Sequence, residues 1–252
     1  MAVAFSPLAT LGFICIRLRL VWGNVMELEQ ILNDSFVYAK KMFTDAGRLI
    51  ILIVLNIIPI VNLVVAGYLG RVVKESPSSS EPSKLTGYVD LFILGLKVAV
   101  AIFIYMLIPT ILLVLGAFSI LMPFMPWGMP FDRMPFMPMI LPSALGLLIV
   151  IVAAVLIFFI TIIMAIAIVH MIKANSFGKA FAVGEVLSII NKIGWGKYIL
   201  WLIIMLVCAL VVGALGRIPV VGWLFSAIIS PVFGVFMGRS AALIYTEGKI
   251  DK

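Results

Sequence analysis

The residues of this sequence that could carry chemistry are few and far apart. His170 is its one histidine and lies at the end of a long apolar run, close to Lys173. Glu185 is the one acid between Lys173 and Lys197, so it has no second carboxylate near it in the chain. A hydrolase or transferase needs a nucleophile, a base and a group that holds developing charge. We therefore predict that the protein is not an enzyme and has no cofactor, and we interpret His170 as a helix-end side chain.

A methionine-rich loop is the other chemical candidate. The pentapeptide Met-Pro-Phe-Met-Pro occurs at residues 122–126 and again at 134–138. Thioethers are soft ligands that suit Cu(I), and the candidate ligands are Met122, Met125, Met134 and Met137. No Cys or His lies in the loop to assist them. We therefore predict no metal site, and we interpret the loop as an apolar segment on the outer membrane surface.

Long apolar runs without charged side chains must position these residues. Of the 252 residues, 64% are hydrophobic and 12% are charged, whereas a soluble domain is about half apolar and about a quarter charged. A helix needs roughly 20 apolar residues to cross the hydrocarbon core. Runs of about this length are Leu49–Gly70, Val98–Met122, Ser143–Val169, Tyr198–Gly216 and Ile218–Gly238. The composition thus predicts an all-α integral membrane protein.

The first of these runs is interrupted by Asn56, Pro59 and Asn62. Proline removes a helical hydrogen bond and clashes with the preceding turn. An Asn on each side could satisfy the freed backbone groups, which find no water in lipid. We predict that Leu49–Gly70 forms a re-entrant hairpin of two half-helices, with Asn56, Pro59 and Asn62 at a broken-helix corner.

The positions of the basic residues indicate how many runs cross the membrane. If every run crossed, with the N-terminus inside, most of the 18 Lys and Arg residues would lie outside, against the positive-inside rule. If the first run returns to its own side, only Arg133 and Arg217 lie outside. We therefore predict four transmembrane helices plus one N-terminal re-entrant hairpin in the cell membrane, with both termini cytoplasmic.

Two cytoplasmic stretches have apolar residues at helical spacing. These residues are Leu28, Leu32, Phe36, Ala39 and Phe43 in the first stretch, and Leu85, Val89, Phe92 and Leu96 in the second. Such spacing is typical of interfacial amphipathic helices that lie on the bilayer. The segment Glu75–Lys84 between them is rich in Ser and Pro, which predicts a flexible linker.

Residues 1–25 stand apart from the single helical membrane domain that we predict for residues 26–252. Ala2–Ile16 is apolar but too short to span, and Arg17 and Arg19 follow it, whereas a signal peptide carries its charges first. Met26 begins a more ordinary polar entry into a helix. We expect that either Met26 is the true start or residues 1–25 are a dispensable extension.

The last apolar run carries a second proline corner and a face of small residues. The corner at Pro219 repeats the pattern around Pro59. The small residues are spaced by four and are Ser226, Ser230, Gly234, Gly238 and Ala242. Small faces let helices approach closely. We interpret this face as a packing surface within the monomer, with a homodimer seam as the alternative.

The sequence resembles an uncharacterised family of multi-pass, largely archaeal membrane proteins, catalogued as a domain of unknown function. The segments that carry the resemblance are residues 58–61 (Ile-Pro-Ile-Val), Gly67-Tyr68, Arg71-Val72, Leu91-Phe92, Gly95-Leu96-Lys97, Phe181, Gly184-Glu185-Val186, Trp195-Gly196, Tyr198 and residues 218–223 (Ile-Pro-Val-Val-Gly-Trp). The resemblance covers about residues 27–246 and implies no activity, because the family has none assigned.

These features predict a non-enzymatic multi-pass membrane protein that serves as a scaffold, handles lipids or shapes the bilayer. The alternative is a permease for a neutral or lipid-like solute, with helices broken at Pro59 and Pro219. The expected partners are membrane lipids, with anionic headgroups at the cytoplasmic Lys and Arg residues. A homo-oligomer or a membrane-protein partner stays open. Nucleic acid is not expected, because the basic residues lie at the ends of apolar runs instead of forming a stripe.

Overall fold

The structure is a computed structural model that describes residues 27–121, 136–218 and 222–249. Within these ranges the chain forms helices joined by turns, without a strand. The helices long and apolar enough to cross a membrane are Tyr88–Leu121, Ser143–Lys173, Trp195–Leu215 and Phe225–Glu247. The predicted all-α membrane protein with four transmembrane helices is thus confirmed.

The helices follow one another along the chain with short connections. The first, α1, is helical over residues 27–40. The others are α2 (Ala46–Ile57), α3 (Asn62–Glu75), α4 (Tyr88–Leu121), α5 (Phe136–Lys173), α6 (Val183–Ile193), α7 (Trp195–Leu215) and α8 (Gly222–Glu247), with 3-10 helices at Lys41–Thr44 and Phe177–Phe181. The chain divides into two compact units, of which the second is Lys97–Val183 and the first comprises the residues on either side of it.

The first apolar run does break, as the proline predicts. It forms two helices, α2 of 12 residues and α3 of 14 residues, which pack against each other as a hairpin. At 1.5 Å per residue they are about 18 and 21 Å long. Each is too short to cross a hydrocarbon core of about 30 Å. Asp45 caps the start of α2, where its side chain accepts a hydrogen bond from the backbone N–H of Arg48.

The core of the first unit lies where α1, the hairpin, the start of α4 and α8 meet. Its fully buried side chains include Met42, Leu52, Tyr68, Leu91 and Val235. The helix α8 packs against α2, α3 and α7, so it forms the central support of the hairpin. The apolar face predicted for the first cytoplasmic stretch is divided, because Leu28 and Ala39 are buried whereas Phe36 and Phe43 are exposed.

The second predicted interfacial helix is not a separate element. Val89, Phe92 and Leu96 belong to α4, which continues without a break through Lys97. The physical reason is that no helix-breaking residue separates this stretch from the apolar run, and Asp90 in the first turn favours a helix start there. Another amphipathic helix, α6, buries Val186, Ile189, Ile190 and Ile193.

The second unit is built around a close helix crossing. A Cβ atom on Gly116 would lie 2.9 Å from the carbonyl oxygen of Gly146, and one on Gly146 would lie 2.7 Å from that of Gly116. The α4 and α5 backbones therefore meet at a point that only glycine permits. At another level, the Tyr105 hydroxyl donates to the carbonyl of Ala180 at 2.6 Å, and its ring stacks on Phe181.

Candidate functional site

The corner between α2 and α3 satisfies its backbone groups without the flanking Asn side chains. The carbonyl of Ile58 accepts a hydrogen bond from the Asn62 N–H at 3.0 Å, and that of Ile60 accepts one from the Leu63 N–H at 3.1 Å. Asn56 is half-buried and Asn62 is exposed. The backbone thus performs the role that the sequence suggested for the two asparagines.

Ile60 at this corner adopts a backbone conformation that is unusual for its residue type. Its φ angle is +71°, which crowds a β-branched side chain and costs of order 1–3 kcal/mol. Its side chain is 71% exposed. In water such a side chain would gain nothing by facing outward, so the corner holds an apolar residue in the place and conformation in which it projects from the protein.

Two glycines let the hairpin approach α4 at backbone contact. A Cβ atom on Gly67 would lie 1.7 Å from the carbonyl oxygen of Leu91, and one on Gly95 would lie 1.8 Å from that of Leu63. Any side chain at either position would force the helices apart. The hairpin is therefore held to the start of α4 by a seam that requires glycine on both helices.

The small face of α8 lies against different parts of the first unit. Gly234 faces Leu69 of α3, where a Cβ atom would lie 2.7 Å from Cδ1, and Gly238 lies beside Val73. Ala242 is fully buried. Ser226 lies beside Gly216 at the end of α7, whereas Ser230 is exposed. The structure thus places most of this face against helices of the same chain.

The segment between α3 and α4, residues 76–87, is here called the strap. Basic side chains donate hydrogen bonds to its backbone carbonyl groups, namely Arg239 to Pro77 and Ser79, Lys41 to Ser80, Arg48 to Pro82 and Ser83, and Arg71 to Lys84 and Thr86. We call these four side chains the basic cradle. The strap sequence predicts flexibility, but the cradle binds it along most of its length.

Arg239 is the most buried member of the cradle, with 4% of its surface exposed. Its Nε donates to Asp34 Oδ1 at 2.8 Å, and its Nη1 donates to the carbonyl of Ser79 at 2.7 Å and to Ser76 Oγ at 3.3 Å. The guanidinium lies over the Tyr38 ring, 4.6 Å from its centroid, at a distance where cation–π attraction is effective. One side chain thereby joins α8 to α1 and to the strap.

Arg48 joins the start of the hairpin to the strap and to Asp45. Its Nη2 lies 2.7 Å from Asp45 Oδ2, and its Nη1 donates to the Pro82 carbonyl at 2.7 Å. The backbone N–H of Arg48 and then its guanidinium bond the Asp45 carboxylate, and they hold the pKa of that carboxyl below its usual range. Asp45 is therefore ionised under all ordinary conditions.

A second ion cluster joins the ends of three helices. The ammonium of Lys197, at the start of α7, lies 2.8 Å from Glu27 of α1 and 2.5 Å from Glu247 of α8. The Lys197 side chain is only 3% exposed, and a buried ammonium requires such partners. Together with the pair Arg239–Asp34, this cluster sets α1 antiparallel to α8.

The remaining sequence-predicted positions do not meet at a common site. His170 is buried in α5, whereas the sequence suggested a helix-end position at the membrane surface. Glu185 is exposed on α6. Pro219 and the candidate copper ligands Met122, Met125 and Met134 lie outside the described residues, and Met137 falls where the structure gives no side-chain description. The expectation that these methionines hold no metal therefore stays a prediction.

Sequence reasoning missed the basic cradle and the Lys197 cluster. It assigned the basic residues at the ends of apolar runs to lipid headgroups, and no local signal marks Arg239 as different from the others. The signal that was present is Gly67 and Gly95. Both lie in segments that carry the family resemblance, although only the structure shows that they face each other's helix.

A family model described as "Protein of unknown function (DUF4013)" matches residues 50–221, well over half of the chain. The chain belongs to this family. The predicted resemblance to an uncharacterised family is thus confirmed. No curated protein and no solved structure matches the chain. The range matched by the family contains the hairpin corner at Pro59, the crossing of Gly67 with Gly95 and the whole strap.

Proposed function

We propose that this protein is a non-enzymatic, lipid-handling component of the cell membrane whose α2–α3 hairpin enters one leaflet. The observation that carries the proposal is the apolar outer side and tip of a hairpin too short to span. Side chains exposed by 41–71% there are Ile50, Ile51, Val54, Ile57, Ile58 and Ile60. A contiguous exposed apolar patch marks an interaction with lipid or another protein, and a buried hairpin corner needs its own backbone bonds, which this one has.

The base of the hairpin supports entry from the cytoplasmic side. The basic cradle lies at the end of the hairpin opposite the corner, where α2 begins and α3 ends. Basic residues are enriched on the cytoplasmic side of membrane proteins. With this orientation both termini are cytoplasmic, and Arg217 is on the outer side.

A lipid-directed role also agrees with how the polar groups of the first unit are used. Arg239, Arg48 and Lys197 are engaged by carboxylates or carbonyls of the same chain. They stabilise the hairpin support and leave the apolar faces as the surface offered to a partner. A permease for a polar solute would instead need polar groups that face a path through the bilayer.

The depth of the corner tests the proposed insertion. In a background with Cys15 and Cys208 replaced by Ser, Ile60→Cys and Ser78→Cys would each carry a bimane probe in vesicles. We expect the probe at residue 60 to be quenched by nitroxide on lipid chains, and the probe at residue 78, on the exposed strap, to be quenched by aqueous iodide. Iodide quenching at residue 60 would contradict the insertion and favour a water-filled path, as in a permease.

Lipid handling has its own test. The full chain, purified in mild detergent, should retain phospholipid at a fixed ratio to protein, measured by phosphorus and mass analysis. Ile60→Asp places a charge where insertion costs about 2.5–3.5 kcal/mol, so we expect less retained lipid, with Ser78→Asp as the control of equal charge. Equal lipid retention by wild type, Ile60→Asp and a membrane protein without a hairpin would refute the proposal.

A further inference from the structure

A groove of about 570 Å³ lies between α1 and the α7–α8 pair within the first unit. Its walls include Phe36 and Ala39 from α1, Val207 and Val211 from α7, and Val232 and Phe233 from α8. We call it the α1 groove. A second groove of about 530 Å³ adjoins it and shares Phe36, Cys208 and Phe236. Space of this length beside a helix requires an occupant, because empty apolar volume forfeits packing contacts.

Hydrocarbon is the occupant that fits the walls of the α1 groove. Apart from Lys40 and the thiol of Cys208, the residues that line it are Ala, Val, Ile and Phe. A peptide segment placed there would leave backbone N–H and C=O groups without partners, which costs several kcal/mol per group in an apolar medium. Val207 and Val211 are more than half exposed along α7, a membrane-crossing helix. The groove is therefore open to the hydrocarbon of the bilayer.

Lys40 gives the α1 groove a positive charge at an exposed edge. Its neighbour Lys41 donates to the strap, and Arg239 binds Asp34 and the strap. Within the described residues, Lys40 has neither an acidic partner nor a hydrogen bond. An exposed ammonium beside a hydrocarbon channel is complementary to a phospholipid with net negative charge.

We propose that the α1 groove binds one acyl chain of an anionic phospholipid, with the Lys40 ammonium at its phosphate. This site rests on the lipid-handling function proposed above and adds to it a position and a headgroup preference. The basic cradle holds the strap and leaves Lys40 as the charge that selects the lipid. The protein thus retains a specific lipid beside α1.

Lipid titration monitored by native mass spectrometry tests the headgroup preference. The full chain in mild detergent would receive dioleoyl phosphatidylglycerol or dioleoyl phosphatidylcholine, which differ in net charge and share their acyl chains. We expect wild type to bind phosphatidylglycerol about five-fold more tightly, from roughly 1 kcal/mol for one Lys at a headgroup. Lys40→Ala should remove this preference, and Lys84→Ala, which removes an exposed charge outside the groove, should keep it.

Substitution of a wall residue tests the acyl-chain position. Val211→Trp fills the α1 groove and should lower the binding of both lipids several-fold, whereas Leu210→Trp, on the exposed side of α7, should not. With Cys15→Ser as background, bound phosphatidylglycerol should also slow the reaction of Cys208 with a lipophilic maleimide. Equal binding by Val211→Trp and Leu210→Trp would overturn the position, and so would a dimer that Val211→Trp disrupts.

The two proposals fail in different ways. If residue 60 is quenched by lipid nitroxide but Lys40→Ala and Val211→Trp change nothing, the hairpin function stands and the α1 groove site is refuted. If residue 60 is quenched by iodide, the proposed function is refuted whatever the groove variants show. Size-exclusion profiles and helical circular dichroism verify that each variant is folded.

Discussion

Gly67→Ala is the most direct test of how the hairpin is held. Gly67 packs against the backbone of α4, where a Cβ atom would lie 1.7 Å from the Leu91 carbonyl oxygen, 2.5 Å from its carbonyl carbon and 2.9 Å from its Cα. All three neighbours are backbone atoms, so no rotamer change can relieve the clash. Ala at this position must separate α3 from α4.

The size of the effect follows from these distances. Contacts of a Cβ atom below 3.0 Å essentially never occur, so the helices must separate by at least about 1.3 Å at this point, more than the gap that forfeits a quarter to a half of a dispersion contact. Tyr68 and Leu91, which lie beside the seam, are fully buried. Overpacking a rigid site costs about 1–3 kcal/mol, and we expect the upper value. For a chain of this size that lowers the unfolding midpoint by roughly 6–12 °C.

Thermal unfolding in detergent, followed by circular dichroism and by loss of the monodisperse peak, measures the change. Gly213→Ala is the matched control, because a Cβ atom added to Gly213 in α7 would meet no other atom within 4 Å. There Ala gains about 0.5–1 kcal/mol of helix propensity, so the midpoint should hold or rise. If Gly67→Ala unfolds at the wild-type temperature, the close crossing of α3 and α4 does not exist.

The charge clusters give three further predictions. Arg239→Ala leaves strap carbonyls unpaired at about 1–3 kcal/mol, so limited proteolysis should cut the strap several-fold faster, and an unchanged rate would contradict its tethering. Lys197→Met keeps the packing of α7 but releases Glu27, so amide exchange should rise in α1 and not in α7. The pKa of Asp45 is lowered in the folded state by Arg48, so its contribution to stability is present above the unfolded pKa of about 3.9 and is lost as pH falls further. Asp45→Asn should therefore lower the unfolding midpoint at pH 7, and the difference should shrink in acid.

The sequence was informative about features that arise from neighbouring residues. Pro59 breaks its apolar run because the cause, a missing N–H and a steric clash, lies within one helical turn. The four spans follow from uninterrupted apolar length, which is also a local property. The strap misled because its composition describes its own backbone, whereas its order comes from Arg239, Arg48 and Lys41, which lie on other helices.

Charge placement shows the limit of this reasoning most clearly. Counting Lys and Arg at the ends of apolar runs assigns all of them to lipid headgroups, but a cation binds whichever acceptor the fold brings near it. Asp34, the partner of Arg239, is 205 positions away in the chain, so no local pattern could pair them. Lys40 and Lys41 are adjacent in sequence, yet the helical turn directs Lys41 to the strap and Lys40 to the α1 groove. A preference for anionic lipid should therefore depend on Lys40 far more than on the net charge of the chain.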